Sequence, residues 1–258
     1  MTSILRIIIP PLAVMGWMLA YPISCFAGLI PLATALIIYL YIWHVTSVRR
    51  KLVADFYFRK RHLIYAFFFS RIRLFLFASV YALVLSSALY LSVTLWDPIH
   101  IGILTLDALI LFILFHWLAE WSERRLAVTK QNAPLVAKQI LSALNTVALI
   151  GIFTWIAIES SPPHYAVDKE SLRAVFEAAA SGTQSQCALI DMAVSLAQQV
   201  EGAQYYFLGL SFGAVAAPEV RLVAAIILLL AGGLPALAYS RFVLQLVSGA
   251  SKQEGPAE

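Results

Sequence analysis

The sequence has few charged residues and few cysteines. Asp, Glu, Lys and Arg make up only 12% of its 258 residues, while 61% are apolar; a soluble globular domain has about 25% charged residues. These proportions argue against a water-soluble protein and favour a chain whose main solvent is lipid. The two cysteines, Cys25 and Cys187, form no C-x-x-C motif and no cluster with histidine, which argues against a zinc site or an iron–sulfur cluster.

Long polar segments are also scarce. Residues 159–217 form the one sizeable segment that is not predicted to cross a membrane, and it contains no catalytic triad, no phosphate-binding glycine loop and no metal-ligand spacing. The chemistry of most enzymes requires such groups at defined spacings. We therefore expect neither an enzymatic activity nor a cofactor.

Four apolar runs dominate the rest of the chain. Each is close to the length that a helix needs to cross the roughly 30 Å of hydrocarbon in a bilayer. Each is apolar on all sides, whereas a surface helix of a soluble protein has one apolar stripe. The runs cover residues 74–96, 101–119, 135–158 and 220–239. They predict an all-α, polytopic integral membrane protein.

A further apolar stretch covers residues 4–43. It is too long for one span and just long enough for two, and Pro22 followed by Ile23 and Ser24 near its middle predicts a turn. We interpret the stretch as a helical hairpin, which makes six spans in total. The alternatives are a single span with an interfacial segment, which makes five, and a cleaved signal peptide. The predicted division is a transmembrane hairpin at 1–44, a basic cytoplasmic connector at 45–73, transmembrane helices three to five at 74–158, an extracytoplasmic helical insert at 159–217, a sixth transmembrane helix at 218–245 and a cytoplasmic tail at 246–258.

The distribution of positive charge predicts the orientation. With six alternating spans, fifteen of the 18 Lys and Arg residues fall on one side. Cytoplasmic loops of membrane proteins carry such an excess. We therefore expect both termini in the cytoplasm and a location in the inner (plasma) membrane of a bacterium.

Six basic residues concentrate in the predicted connector: Arg49, Arg50, Lys51, Arg59, Lys60 and Arg61. We interpret this patch as an orientation signal on an interfacial helix, with its charges near the anionic lipids of the inner leaflet. A docking surface for a soluble partner is the alternative. Nucleic-acid binding is not expected, because no recognition fold accompanies the charge.

The predicted insert contains two helical segments, one from Asp168 and one from Thr183. In the second, apolar residues recur at spacings of three and four, which is the period of a helix face. This stripe consists of Leu189, Met192, Leu196 and Val200. Because so short a segment buries little core alone, we expect the insert to pack on the outer helix ends or on another subunit.

Ionisable residues inside a membrane are costly and indicate a candidate site. Asp107 lies within the fourth predicted helix, and folding helices three and four about Asp97 as an antiparallel hairpin brings it level with Tyr90. Asn145, in the middle of the fifth helix, is expected to join helices by hydrogen bonds. The candidate intramembrane polar site is therefore Asp107, Tyr90 and Asn145. It is interpreted as an interhelical hydrogen bond, with a proton or cation relay as the alternative.

Both Cys25 and Cys187 are predicted to lie on the outer side of the membrane. If that side is oxidising, they can form a disulfide, which would tie the insert to the first hairpin. The alternatives are that Cys25 lies in the edge of the bilayer as a small apolar residue and that Cys187 points into the packed face of the insert.

Three functional classes are compatible with these patterns. We expect a non-enzymatic subunit of a larger secretion, conjugation or envelope assembly, with other membrane or soluble protein subunits as partners, because the basic connector and the insert offer docking surfaces on both sides. The second class is an ion or proton channel, or a transporter, that uses Asp107. The third is a membrane-embedded enzyme that modifies lipids.

Overall fold

A computed structural model of the chain describes residues 2–57, 71–125, 132–159, 171–180, 186–212 and 218–248. The regular structure of these residues is helical throughout. The helices are α1 (Thr2–Ala20), α2 (Leu29–Tyr57), α3 (Arg71–Val93), α4 (Pro98–Arg125), α5 (Ala133–Glu159), α6 (Leu172–Ala180), α7 (Ala188–Phe212) and α8 (Pro218–Ser248), with a short 3₁₀ turn at Cys25–Gly28 before α2.

Five of the described helices have a segment long and apolar enough to cross a membrane: Cys25–Val48, Arg71–Val93, Pro98–Arg125, Ala133–Glu159 and Ala225–Ser248. The predicted all-α polytopic fold is therefore confirmed. The apolar part of α1, Leu5–Ala20, is shorter than these five segments. A sixth crossing by α1 stays a prediction.

Helix α8 lies at the centre of the bundle and packs against α1, α2, α3, α4, α5 and α7. Its side chains Tyr239, Phe242, Val243 and Leu244 are almost completely buried. Gly233 allows a close approach of α5, because a Cβ atom added there would lie 3.4 Å from Cδ1 of Ile150. In the sequence, Gly232, Gly233 and Pro235 favour close packing and a kink, or a hinge, in this helix. The structure has close packing at Gly233, in one continuous helix.

Helices α3 and α4 follow one another along the chain but do not form the packed hairpin that the sequence predicted. Helix α3 packs mainly on α2 and α8, and α4 packs mainly on α5 and α1. The turn at Thr94–Asp97 holds the ends of α3 and α4 together, but a short connector leaves the directions of the two helices free. Trp17 of α1 contacts the ring of Tyr90 on α3, and the hydroxyl of Tyr239 on α8 donates to the carbonyl of Leu104 on α4.

The predicted insert contains α6 and α7, which pack against each other, and α7 also packs against α8. Val175 and Ala179 of α6 are buried, as are Ile190 and Val194 of α7. A disulfide joins Cys187, next to the start of α7, to Cys25, and the two Cα atoms are 5.2 Å apart. The insert is thereby attached to the membrane helices both by packing and by a covalent bond.

The position of this disulfide agrees with the arrangement of the spans. Four of the five candidate spans lie between Cys25 and Cys187 along the chain. An even number of crossings returns the chain to the side from which it started. Both cysteines therefore lie on the same side of the membrane when these four helices cross it.

Candidate functional site

The buried polar cluster of the bundle joins three helices. Nδ2 of Asn145 on α5 donates a hydrogen bond to Oδ2 of Asp107 on α4, at 3.1 Å, and another to Oγ of Ser240 on α8, at 2.9 Å. Ser240 in turn donates to the carbonyl of Ala236, one turn earlier in its own helix, at 2.8 Å. Asp107 is 9% exposed and Ser240 is completely buried. This set of contacts connects α4, α5 and α8 at one level of the bundle.

Tyr90 does not belong to this cluster, so the predicted pairing of Asp107 with Tyr90 is wrong. The Tyr90 hydroxyl lies 2.7 Å from Oγ1 of Thr34 on α2, and its ring meets that of Trp17 edge-on at 5.5 Å. The error follows from the position of α3, which packs on α2 and α8. Of the three predicted residues, the structure brings together Asp107 and Asn145.

Lys138 on α5 and Arg241 on α8 make contacts with aromatic rings that the sequence did not predict. Nζ of Lys138 donates to Oε1 of Gln245 at 3.3 Å, and both Lys138 and Arg241 lie 5.7 Å from the ring centroid of Tyr41. The guanidinium of Arg241 is also 5.0 Å from the ring centroid of Tyr81. Cation–π contacts of this kind stabilise charge where water is scarce. In the sequence these cations counted only toward orientation, because their aromatic partners lie on other helices.

The predicted basic patch is described only in part. Arg49, Arg50 and Lys51 belong to α2, which continues to Tyr57 instead of ending near residue 44. Arg59, Lys60 and Arg61 lie outside the described residues. Its role toward lipids or a soluble partner stays a prediction.

The apolar stripe predicted on the insert lies on the exposed side of α7. Leu189, Met192, Leu196 and Val200 are 79%, 75%, 55% and 45% exposed. Another side of α7, which carries the buried residues Ile190 and Val194, packs on the rest of the protein. Leu189 and Met192 remain available to another subunit, whereas Leu196 and Val200 also line a cavity between α7 and the membrane helices.

A cavity of about 680 Å³ lies between α7, the end of α3, the start of α4, the C-terminal part of α5 and α8. Most of its lining is apolar or aromatic; its acidic members are Asp97 and Glu201, and it also includes His100. Such a volume is typical of a site for a small organic molecule. No pattern in the sequence indicated this cavity, because it is formed by α7 and four other helices that are distant from one another in the sequence.

Within the described ranges, no group of three or more His, Cys, Asp or Glu side chains is arranged to hold a metal ion. Comparison of the chain with protein-family models, with curated proteins and with solved structures gives no match.

Proposed function

We propose that the protein is a non-enzymatic integral membrane subunit of a larger membrane-associated assembly, and that α7 is its docking surface on the outer side. The observation that carries this proposal is the exposed apolar stripe of α7, Leu189, Met192, Leu196 and Val200. This helix is not among the candidate spans. We therefore do not expect lipid tails to surround its whole length. Large apolar side chains in such a position are typical of a protein interface.

The attachment of α7 supports a docking role. The disulfide next to its start and its packing along α8 hold the helix in one position before any partner binds. A surface that is ordered in advance loses less entropy on binding than a flexible one. Burying a single Leu or Met side chain contributes about 1.5–3 kcal/mol, so a partner that covers the stripe gains substantial affinity.

The spacing of the stripe favours a helix as the partner element. Its residues follow one another at intervals of three, four and four, which resembles the seam along which two helices pack. The expected partner is a membrane protein of the same assembly that presents an apolar helix on the outer side. Soluble subunits would bind at the basic connector on the opposite side.

We further propose the bacterial inner membrane as the location, with both termini in the cytoplasm. The support is the excess of Lys and Arg on one side of the predicted topology, fifteen of 18. An oxidising outer compartment also suits a disulfide between Cys25 and Cys187.

Purification in a mild detergent tests the docking role. The double variant Leu189→Ser/Met192→Ser removes two exposed apolar side chains from α7. The matched control is Leu144→Ser/Val147→Ser, which changes two exposed apolar residues of α5, 63% and 70% exposed. We expect wild type and control to copurify with stoichiometric partner proteins, and the α7 variant to lose most of them at unchanged expression.

Quantitative mass spectrometry of the three preparations decides the outcome. A wild-type protein that purifies without stoichiometric partners would contradict the proposal. Equal retention of partners by the α7 variant and the control would show that partners bind elsewhere.

A further inference from the structure

The cavity between α7 and the membrane helices has room for a ligand, and the docking role of α7 does not explain it. Its volume of about 680 Å³ lies in the range of sites that enclose small organic ligands. It is bounded by four membrane helices on one side and by α7 on the other. Two residues of the docking surface, Leu196 and Val200, also line this cavity, whereas Leu189 and Met192 do not.

One wall of the cavity is aromatic. The rings of Trp96 and His100 are stacked, with centroids 5.6 Å apart and an interplanar angle of 10°. Phe153 closes the group, at 5.0 Å from Trp96 and 5.6 Å from His100. Aromatic faces carry partial negative charge and attract cations. This wall therefore suits either an apolar surface or a positively charged group.

The charge of the lining is negative. Asp97 and Glu201 contribute carboxylates, and none of the described lining residues is Lys or Arg. Both carboxylates act on Tyr205, which also lines the cavity: burial raises the pKa of Tyr205 above its usual value, and Glu201 and Asp97 raise it further. The negative charges that make it harder for Tyr205 to lose its proton also attract a cation into the cavity.

Hydrogen-bond acceptors point to the same class of ligand. Pro235 lies within α8 and has no N–H, so the carbonyl of Ala231 lacks its usual helical donor. Both residues line the cavity. A ligand with an N–H group would satisfy this carbonyl.

We propose that this cavity binds a lipophilic cation, a molecule with an apolar body and a single positively charged group. The apolar body packs between Leu91, Leu196 and Leu230, and the charged group lies near Asp97, Glu201 and the aromatic wall. An anionic amphiphile is disfavoured, because its charge would meet the carboxylates of Asp97 and Glu201 and no Lys or Arg among the described lining residues. A zwitterionic lipid is disfavoured for the same reason, through its phosphate.

Tetraphenylphosphonium and tetraphenylborate are suitable probes, because they have nearly the same size and apolar surface and opposite charge. Binding to the purified full-length protein is measured by equilibrium dialysis, with uptake by protein-free micelles subtracted. We expect saturable binding of one tetraphenylphosphonium per protein and no saturable binding of tetraphenylborate. Equal saturable binding of both ions would overturn the charge assignment, and absence of saturable tetraphenylphosphonium binding would overturn the site.

Charge variants test the role of the carboxylates. Asp97→Asn/Glu201→Gln keeps the shape of both side chains and removes both charges, and Asn remains a good residue before the start of a helix. We expect tetraphenylphosphonium to bind at least about tenfold more weakly, because the variant removes two negative charges that attract the cation. The control Glu159→Gln removes an exposed acid that does not line the cavity, and it should leave binding unchanged. Equal effects of both variants would contradict the proposal.

A cavity-filling variant tests the location independently of charge. A Cβ atom added at Gly232, which lines the cavity, meets nothing within 4 Å, and the same is true of Gly102 on α4, which does not line it. Gly232→Phe should abolish tetraphenylphosphonium binding, and Gly102→Phe should retain it. Retention in both variants, with thermal unfolding unchanged, would show that the cation binds elsewhere.

Discussion

Replacement of Cys25 or Cys187 by serine is expected to destabilise the protein by up to about 5 kcal/mol. The bond joins residues separated by 162 positions, and the chain-entropy model assigns a free energy of about 5 kcal/mol to closing so long a loop, although measured values are often smaller. Without the bond, α6 and α7 are held only by packing. We expect the insert to become sensitive to protease before the membrane helices unfold. Denaturant unfolding of the purified protein, followed by limited proteolysis, measures both effects.

The single and double cysteine variants provide an internal control. Cys25→Ser, Cys187→Ser and the double variant break the same bond, so they should lose the same stability instead of adding their losses. Thiol alkylation of the unreduced, denatured wild type should label neither cysteine, and labelling after reduction should reach both. Two labelled cysteines without reduction would exclude the bond.

Replacement of Asn145 by leucine is expected to destabilise the bundle by about 2 kcal/mol. The substitution removes the donor that contacts both Asp107 and Ser240, and a buried polar group without a partner costs roughly 1–3 kcal/mol. The double variant Asp107→Leu/Asn145→Leu removes both partners and should cost less than the sum of the single variants. Unfolding of the four proteins gives their coupling energy, which we expect to be about 1 kcal/mol.

A second cycle provides the negative control. Tyr90→Phe and Asp107→Leu change residues that bond to different partners, so their effects should add. Non-additive effects would restore the direct Asp107–Tyr90 pairing. The variant Asp107→Asn addresses the relay alternative: it keeps a hydrogen-bonding side chain but cannot exchange a proton. We expect it to assemble and function normally, and a loss of transport with intact assembly would favour a channel or transporter.

The sequence predicts those features that depend on neighbouring residues. A chain in lipid must satisfy its backbone hydrogen bonds locally, so runs such as 74–96 and 135–158 identify spans without knowledge of the rest of the fold. The stripe from Leu189 to Val200 is likewise a local pattern. These predictions needed only the period of the helix and the thickness of the bilayer.

Features that depend on which helices meet were predicted poorly. The short turn before Pro98 suggested that α3 and α4 pack together, but α3 packs mainly on α2 and α8. That arrangement separates Tyr90 from Asp107 and connects Asp107 to Asn145. The cavity depends on how α7 packs against α3, α4, α5 and α8, and no local pattern in the sequence indicated it.

The docking role of α7 is tested most directly by a photo-cross-linking residue at position 192 in native membranes. Met192 is 75% exposed, and the same reactive residue at Val147, on the exposed side of α5, serves as the control. The proposal predicts a discrete protein adduct from position 192 that is absent from position 147. Lipid adducts alone at both positions, with no protein adduct from position 192, would contradict it.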